Sequence, residues 1–182
     1  MTRKKHLIYL TGFMGSGKST IAPILANTIG YSHIDIDEEI EKTSGKRISE
    51  IFSDSGEPAF RNIERKLLAA ISTSDECVVS LGGGTITNEA NLSVVKSTGI
   101  LIYLKADIDQ IVKRLRHKTN RPMITAADGS VLPENILRER VTSMLSQREP
   151  FYNQADIIVP TGNRRVGLTV DDIVHRITHF HL

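Results

Sequence analysis

The sequence holds a single cysteine, Cys77, so no disulfide framework can form within the chain, and nothing points to an oxidising compartment. Set in the apolar run "ECVVSL", that cysteine reads as a small core residue. No stretch approaches the roughly 20 consecutive apolar residues of a membrane span. The start, "MTRKKHLIYL", is basic and then apolar, but the apolar run is too short for a signal peptide and a glycine loop follows it. Strong charge is also missing. A formal net charge of +2 is too mild to argue for a nucleic-acid partner, so any basic binding site must be local. Internal repeats and low-complexity tracts are absent, and no exposed apolar helix calls for a partner. Together these absences predict a soluble, cytoplasmic, monomeric protein with no membrane or nucleic-acid partner.

What is present is enough for one domain spanning residues 1–182, with 40% hydrophobic and 24% charged residues. Four apolar runs read as strands buried on both faces: His6–Leu10, Cys77–Leu81, Ile100–Leu104 and Ala155–Pro160. A weaker one is Tyr31–Asp37. Helical periodicity appears over Lys18–Ile29 (Ile21, Ile24, Leu25, Ile29), Glu57–Ser72 (Phe60, Ile63, Leu67, Ile71) and Asp107–His117 (Ile108, Ile111, Val112, Leu115). It recurs over Pro133–Glu149 (Leu137, Val141, Met144, Leu145) and Thr169–Phe180 (Ile173, Val174, Ile177). Strands alternating with helices predict an α/β sandwich with right-handed crossovers. Two segments break the rhythm. Asp37–Ser72 is nearly all helical and longer than one crossover needs. Lys118–Leu132 lacks an apolar face, and a loop of that length is usually functional or disordered.

The stretch "GFMGSGKS", Gly12–Ser19, fits the phosphate-binding pattern G-x-x-x-x-G-K-[ST] between an apolar strand and an amphipathic helix. Its glycines let backbone N–H groups turn toward phosphate oxygens, Lys18 reaches the β and γ phosphates, and Ser19 offers a hydroxyl to Mg²⁺. The following helix aims its positive end at the anion. A guanine-specific Asn-Lys-x-Asp signal is missing, which argues against a GTPase. A chain this short with this loop suggests a kinase of a small molecule.

Ligands in open α/β sheets sit at the carboxyl ends of the strands, where "DID" (Asp35–Asp37) and "GGG" (Gly82–Gly84) also fall. The triplet reads either as backbone opened to a ligand or as a flexible turn. Asp37 reads as a ligand group or as the N-cap of "EEIEKT". Arg61 and Glu64, three apart, share a helix face; the pair either orients Arg61 or is an exposed ion pair of small worth. Arg148 continues the apolar stripe of its helix, where a charge needs a partner, unless it caps helix carbonyls ahead of Pro150. "KRLRHKTNR" (Lys113–Arg121) reads as a basic lid over phosphates, a solvated helix end or an RNA patch. His175, His179 and His181 read as a polar helix end before a metal site. The strand "CVVSL" has Ser80 where an aspartate holding the nucleotide's metal commonly lies, which leaves Asp35 for that task.

"GFMGSGKST", "DID", "FRNIE", "SLGGG", "RP" and the late Arg148, in this order and spacing, resemble the shikimate kinase family from about Leu7 to Val159. The resemblance implies a nucleoside-monophosphate-kinase-like P-loop fold: a three-layer α/β sandwich on a five-stranded parallel sheet, with a substrate-binding insertion near 37–72 and a lid near 118–132. It implies transfer of phosphate from ATP to shikimate, giving shikimate 3-phosphate and ADP, in the chorismate route to aromatic amino acids. Lys18, Asp37 and Arg121 would be catalytic. Gly15, Ser16, Gly17, Lys18, Ser19, Thr20, Arg114 and Arg121 would bind ATP, with Arg114 against the adenine. Asp37, Arg61, Gly82, Gly83, Gly84 and Arg148 would bind the substrate, the two arginines holding its carboxylate. Ser19, and Asp35 through water, would hold Mg²⁺. A kinase for another polyol acid such as gluconate, and a nucleotide-dependent RNA-binding switch, are the alternatives.

Overall fold

A computed structural model describes residues 7–116, 132–162 and 164–180. Arg121, His181 and the expected 118–132 segment, Leu132 apart, lie outside the described residues.

The strands are β1 (Leu7–Thr11), β2 (Ser32–Asp35), β3 (Cys77–Ser80), β4 (Gly99–Lys105) and β5 (Ile157–Pro160), in one parallel sheet ordered β2-β3-β1-β4-β5. Their continuous apolar runs follow from burial on both faces. Leu7 and Tyr9, with Val79, Leu101 and Tyr103, pack into one core cluster, while Ile8 and Leu10, with Val78, Ile100 and Ile102, pack into the other.

The helices are α1 (Lys18–Ile29), α2 (Ile36–Ser44), α3 (Ile48–Ile71), α4 (Glu89–Thr98), α5 (Ile108–Arg116), α6 (Glu134–Tyr152) and α7 (Val166–Thr178). Buried residues of α1 and α7 join the Ile8 cluster; those of α2 through α6 join the Leu7 cluster. Helix, sheet and helix form the three layers.

Several expectations are corrected. β2 stops at Asp35, not Asp37, because α2 begins at Ile36. Ile24 is 42% exposed; α1 buries Ile21, Ala22, Leu25 and Ala26 instead. α6 does not end ahead of Pro150 but runs to Tyr152, with the proline inside its last turn. The expected helix start at Glu57 coincides with a break in α3 at Gly56, whose φ of 76° and ψ of 173° suit glycine alone. The helix α4 has no counterpart in the periodicity described above. Its buried residues are only Asn91, Leu92 and Val95, too short a stripe to stand out. Cys77 is buried in the core as expected.

Candidate active site

The loop between β1 and α1 carries its own phosphate-binding logic. Gly17 caps α1 in the left-handed region at φ 107°, and no side chain takes up the first-turn N–H groups. No acidic residue lies in that first turn. Lys18 Nζ donates to the carbonyls of Gly12 (2.6 Å) and Phe13 (3.3 Å), so the lysine folds over the loop. Ser16 Oγ is buried without a hydrogen-bond partner among the described residues, as a polar atom held for a ligand would be. The loop is tied down from the far side of the sheet: Thr161 donates its hydroxyl to Ser16 O (2.9 Å), and Arg114 donates to Gly15 O (2.8 Å), Thr161 O (3.0 Å) and Gly162 O (3.3 Å).

Asp35 and Asp37 follow β2. Asp35, not Asp37, is the N-cap of α2: its Oδ1 accepts from the backbone N–H of Asp37 (3.0 Å) and Glu38 (3.4 Å). The bland reading of Asp37 therefore fails. Asp35 pairs in register with Ser80, and Ser80 with Leu10, so Asp35 stands one strand over from the position where the common aspartate is missing.

The glycine triplet after β3 is a meeting point of side chains. A Cβ at Gly82 would lie 3.0 Å from Asp37 Oδ1, one at Gly83 3.2 Å from Arg148 Nη1, and one at Gly84 2.7 Å from Arg61 Nη2. Each glycine leaves room that charged side chains occupy, so the triplet is a place of close approach for those groups and not only a flexible turn.

Arg61 donates from Nη1 to Glu64 Oε2 (2.9 Å) and from Nε and Nη2 to Glu57 Oε1 (3.1 and 3.0 Å). Burial disfavours its charge, but Glu64 and Glu57 outweigh that and raise its pKa above the ordinary value. The Glu64 side chain is only 1% exposed, so the pair is no loose surface bridge. Its other oxygen accepts from the buried Thr85 hydroxyl (2.6 Å), and Asn91 Nδ2 donates to Thr85 O (2.9 Å). Arg148 lies over the Phe13 ring, 5.8 Å from its centroid. This placement, with α6 continuing past Pro150, removes the capping reading.

One cavity of about 690 Å³ is lined by Gly15, Ser16, Gly17, Lys18, Ser19 and Thr20, by Asp35 and Asp37, by Arg61, by Gly82, Gly83 and Gly84, and by Arg114 and Arg148. Every expected site residue within the described chain borders it; Arg121 is outside that chain. Apolar wall comes from Met14, Ile48, Phe52, Phe60 and Leu81. That size and mix suit a small polar ligand beside a nucleotide.

Residues 14–178 match the shikimate kinase family model. This chain belongs to the shikimate kinase family. A shikimate kinase of Prosthecochloris aestuarii is 44% identical over 178 residues, covering 98% of this chain and 90% of the relative. One of Chlorobaculum tepidum is 44% identical over 175 residues, covering 96% and 92%. The solved shikimate kinase of Acinetobacter baumannii, described in complex with shikimate, superposes with a TM-score of 0.87 at 29% identity, covering 98% of this chain and 96% of that one.

For a shikimate kinase the donor set also fits a magnesium ion. Ser19, Asp35 and Asp37 bring only hard oxygen donors to the cavity, and no cluster of three or more His, Cys, Asp or Glu able to hold a metal occurs among the described residues. Magnesium suits such a site, because it keeps waters and takes substrate phosphates rather than an all-protein cage. His175 and His179 meet with their rings tilted, centroids 4.4 Å apart, on an exposed helix end and form no such cluster. No described helix is long and apolar enough to cross a membrane. Sequence reasoning missed Glu57, Thr85, Asn91, Tyr152 and Thr161. Glu57 had a signal, standing four residues before Arg61 in the expected Glu57–Ser72 helix; Tyr152 had none, because the expected helix stopped at Glu149.

Proposed function

We propose that the protein transfers the γ-phosphoryl group of ATP to the 3-hydroxyl of shikimate, releasing shikimate 3-phosphate and ADP, as a cytoplasmic monomer with no nucleic-acid partner. One observation carries the reading: Asp37, Arg61 and Arg148 converge on the three glycines in a cavity that the phosphate loop also lines. The ring's carboxylate lies between the arginine forks, which match it in plane and charge. Gly83 offers a backbone N–H alongside. Asp37 takes the ring hydroxyls, aligns the attacking oxygen and receives its proton as the bond to phosphorus forms; in a loose transfer, alignment outweighs basicity.

In the phosphate loop, Gly15 and Gly17 turn backbone donors to the phosphates, with Ser16 and Thr20 beside them, whose own N–H groups donate to Phe13 O (3.1 Å) and Gly17 O (3.0 Å). Lys18 leaves its loop carbonyls for the transferring group and balances its charge. Ser19, and Asp35 through water, would hold Mg²⁺, which would supply charge stabilisation to the phosphate oxygens. Arg114, its edges held by three carbonyls, presents its plane to the adenine. Arg121 is assigned to the phosphates by the family resemblance, within a lid near 118–132, and the insertion near 37–72 supplies Asp37 and Arg61. Excluding water from the bound phosphates would let transfer to the ring outrun hydrolysis.

ADP release measured with shikimate and with gluconate tests the assignment. Turnover with shikimate and none with gluconate is expected. Equal turnover, or preference for gluconate, would place the chain's activity elsewhere in the polyol-acid kinases.

A further inference from the structure

The Tyr152 side chain is fully buried, 0% exposed, at the end of α6, its ring 5.0 Å from that of Tyr103. A buried phenol usually finds a hydrogen-bond partner. Here the hydroxyl donates to Gly83 O at 2.6 Å, crossing from α6 to the middle of the glycine triplet. Arg148 precedes it by one helical turn. The point where a Gly83 Cβ would stand is 3.2 Å from Arg148 Nη1 and 3.6 Å from the Tyr152 hydroxyl, so phenol and guanidinium close on the same peptide.

The polarity of this contact is fixed. A carbonyl can only accept, so the phenol gives its proton to Gly83 and keeps lone pairs available to the neighbouring Arg148 guanidinium, which can only donate. Burial raises the phenol's pKa, while the charge and side-chain hydrogen bond of Arg148 oppose the rise. Fixing the Gly83 carbonyl also fixes the plane of the peptide that carries the Gly84 N–H. One hydroxyl therefore ties the helix bearing Arg148 to the loop bearing Gly83 and Gly84.

From this geometry we infer that Tyr152 is a positioning residue of the carboxylate cradle, setting the direction of Arg148 and the peptide plane of the glycine triplet. The inference rests on the reading that Arg61 and Arg148 hold the substrate carboxylate. It separates Tyr152 from groups that merely fill the core, because its effect belongs to one ligand group.

Tyr152→Phe in the full-length protein keeps the ring and its packing and removes only the hydroxyl. The probes are shikimate and its methyl ester, with KM and kcat for each, KM for ATP and the melting temperature. Hydrogen bonds to charged groups are worth enough for a KM rise of about tenfold with shikimate. The KM for the ester and for ATP should stay near the parent values, so the variant discriminates less between acid and ester. If the parent prefers the acid and Tyr152→Phe does so equally, the hydroxyl positions nothing and the inference fails while the carboxylate reading stands. If acid and ester KM rise together with a lowered melting temperature, the phenol is structural and the inference is overturned. A parent that turns over ester and acid equally well removes the carboxylate reading itself, and the inference with it.

Discussion

Asp35 and Asp37 are two residues apart and have separable tasks. The Asp35 carboxylate satisfies backbone N–H groups at the start of α2, so Asp35→Ala should cost about 1 kcal/mol of stability, the ordinary worth of an N-cap. Urea unfolding of the variant measures it. Asp37 lies inside the first turn, with Oδ1 against Gly82. Asn at that position keeps the shape and loses the charge. Asp37→Asn should hold the parent's melting temperature and its ATP affinity while turnover falls roughly 10²- to 10⁴-fold, the range for a positioned acid–base group. Full activity in Asp37→Asn would return the residue to a structural role. The sequence offered Asp37 as the cap; the hydrogen bonds of Asp35 Oδ1 to the Asp37 and Glu38 N–H groups give that task to Asp35. β2 runs as far as Asp35 through its pairing with Ser80 on β3, and that pairing is long-range information no local pattern carries.

At the level of elements, glycine spacing has two different causes, and substitution separates them. A Cβ at Gly99 would meet Leu7 O at 2.4 Å and the Tyr9 ring at 2.6 Å, where β4 lies against β1. Backbone cannot yield there, and Gly99→Ala should cost about 3 kcal/mol, the upper range for overpacking. A Cβ at Gly84 meets only the tip of Arg61, at 2.7 Å. That side chain can swing away, so Gly84→Ala should keep the melting temperature close to the parent's and raise the shikimate KM about tenfold through the lost guanidinium contact. A large loss of stability in Gly84→Ala with an unchanged KM would show that the triplet serves the fold. The elements themselves were uneven in legibility. β1, β3 and β4 stood out because both faces are buried and each is built on a continuous apolar run, Leu7–Leu10, Cys77–Val79 and Ile100–Leu104. α1 was readable to the residue, since Gly17 and Gly30 bracket it in the left-handed region. α4 was not, having too few apolar positions, and the end of α6 was misplaced because a proline in a last turn reads as a stop.

On the scale of the whole molecule, the strand order β2-β3-β1-β4-β5 puts the ends of β1, β2 and β3 side by side, which is where Lys18, Asp37 and the triplet come from. Residue patterns gave the alternation of strands and helices. The order of strands depends on crossovers that leave no periodic trace, so it is read from the structure alone. Arg61 on α3 and Arg148 on α6 come from helices far apart in the chain, and they reach adjacent glycines because both helices cover the same face of the sheet. A cradle assembled from two elements predicts two losses of one kind. Arg61→Lys and Arg148→Lys retain charge but lose the planar fork, so each should weaken shikimate binding by roughly 1.5–3 kcal/mol, the range for hydrogen bonds to charged groups. ATP affinity should change little in either, because neither arginine belongs to the β1–α1 loop proposed to hold the phosphates. Arg61→Lys also leaves the buried Glu64 with a poorer partner, so it should lower stability more than Arg148→Lys does. Calorimetric titration of both ligands, with melting curves, reads all of these quantities. Weakened ATP binding of the same size as the shikimate loss would mean that the arginines act on the cavity as a whole, and the division into a carboxylate end and a phosphate end would not stand.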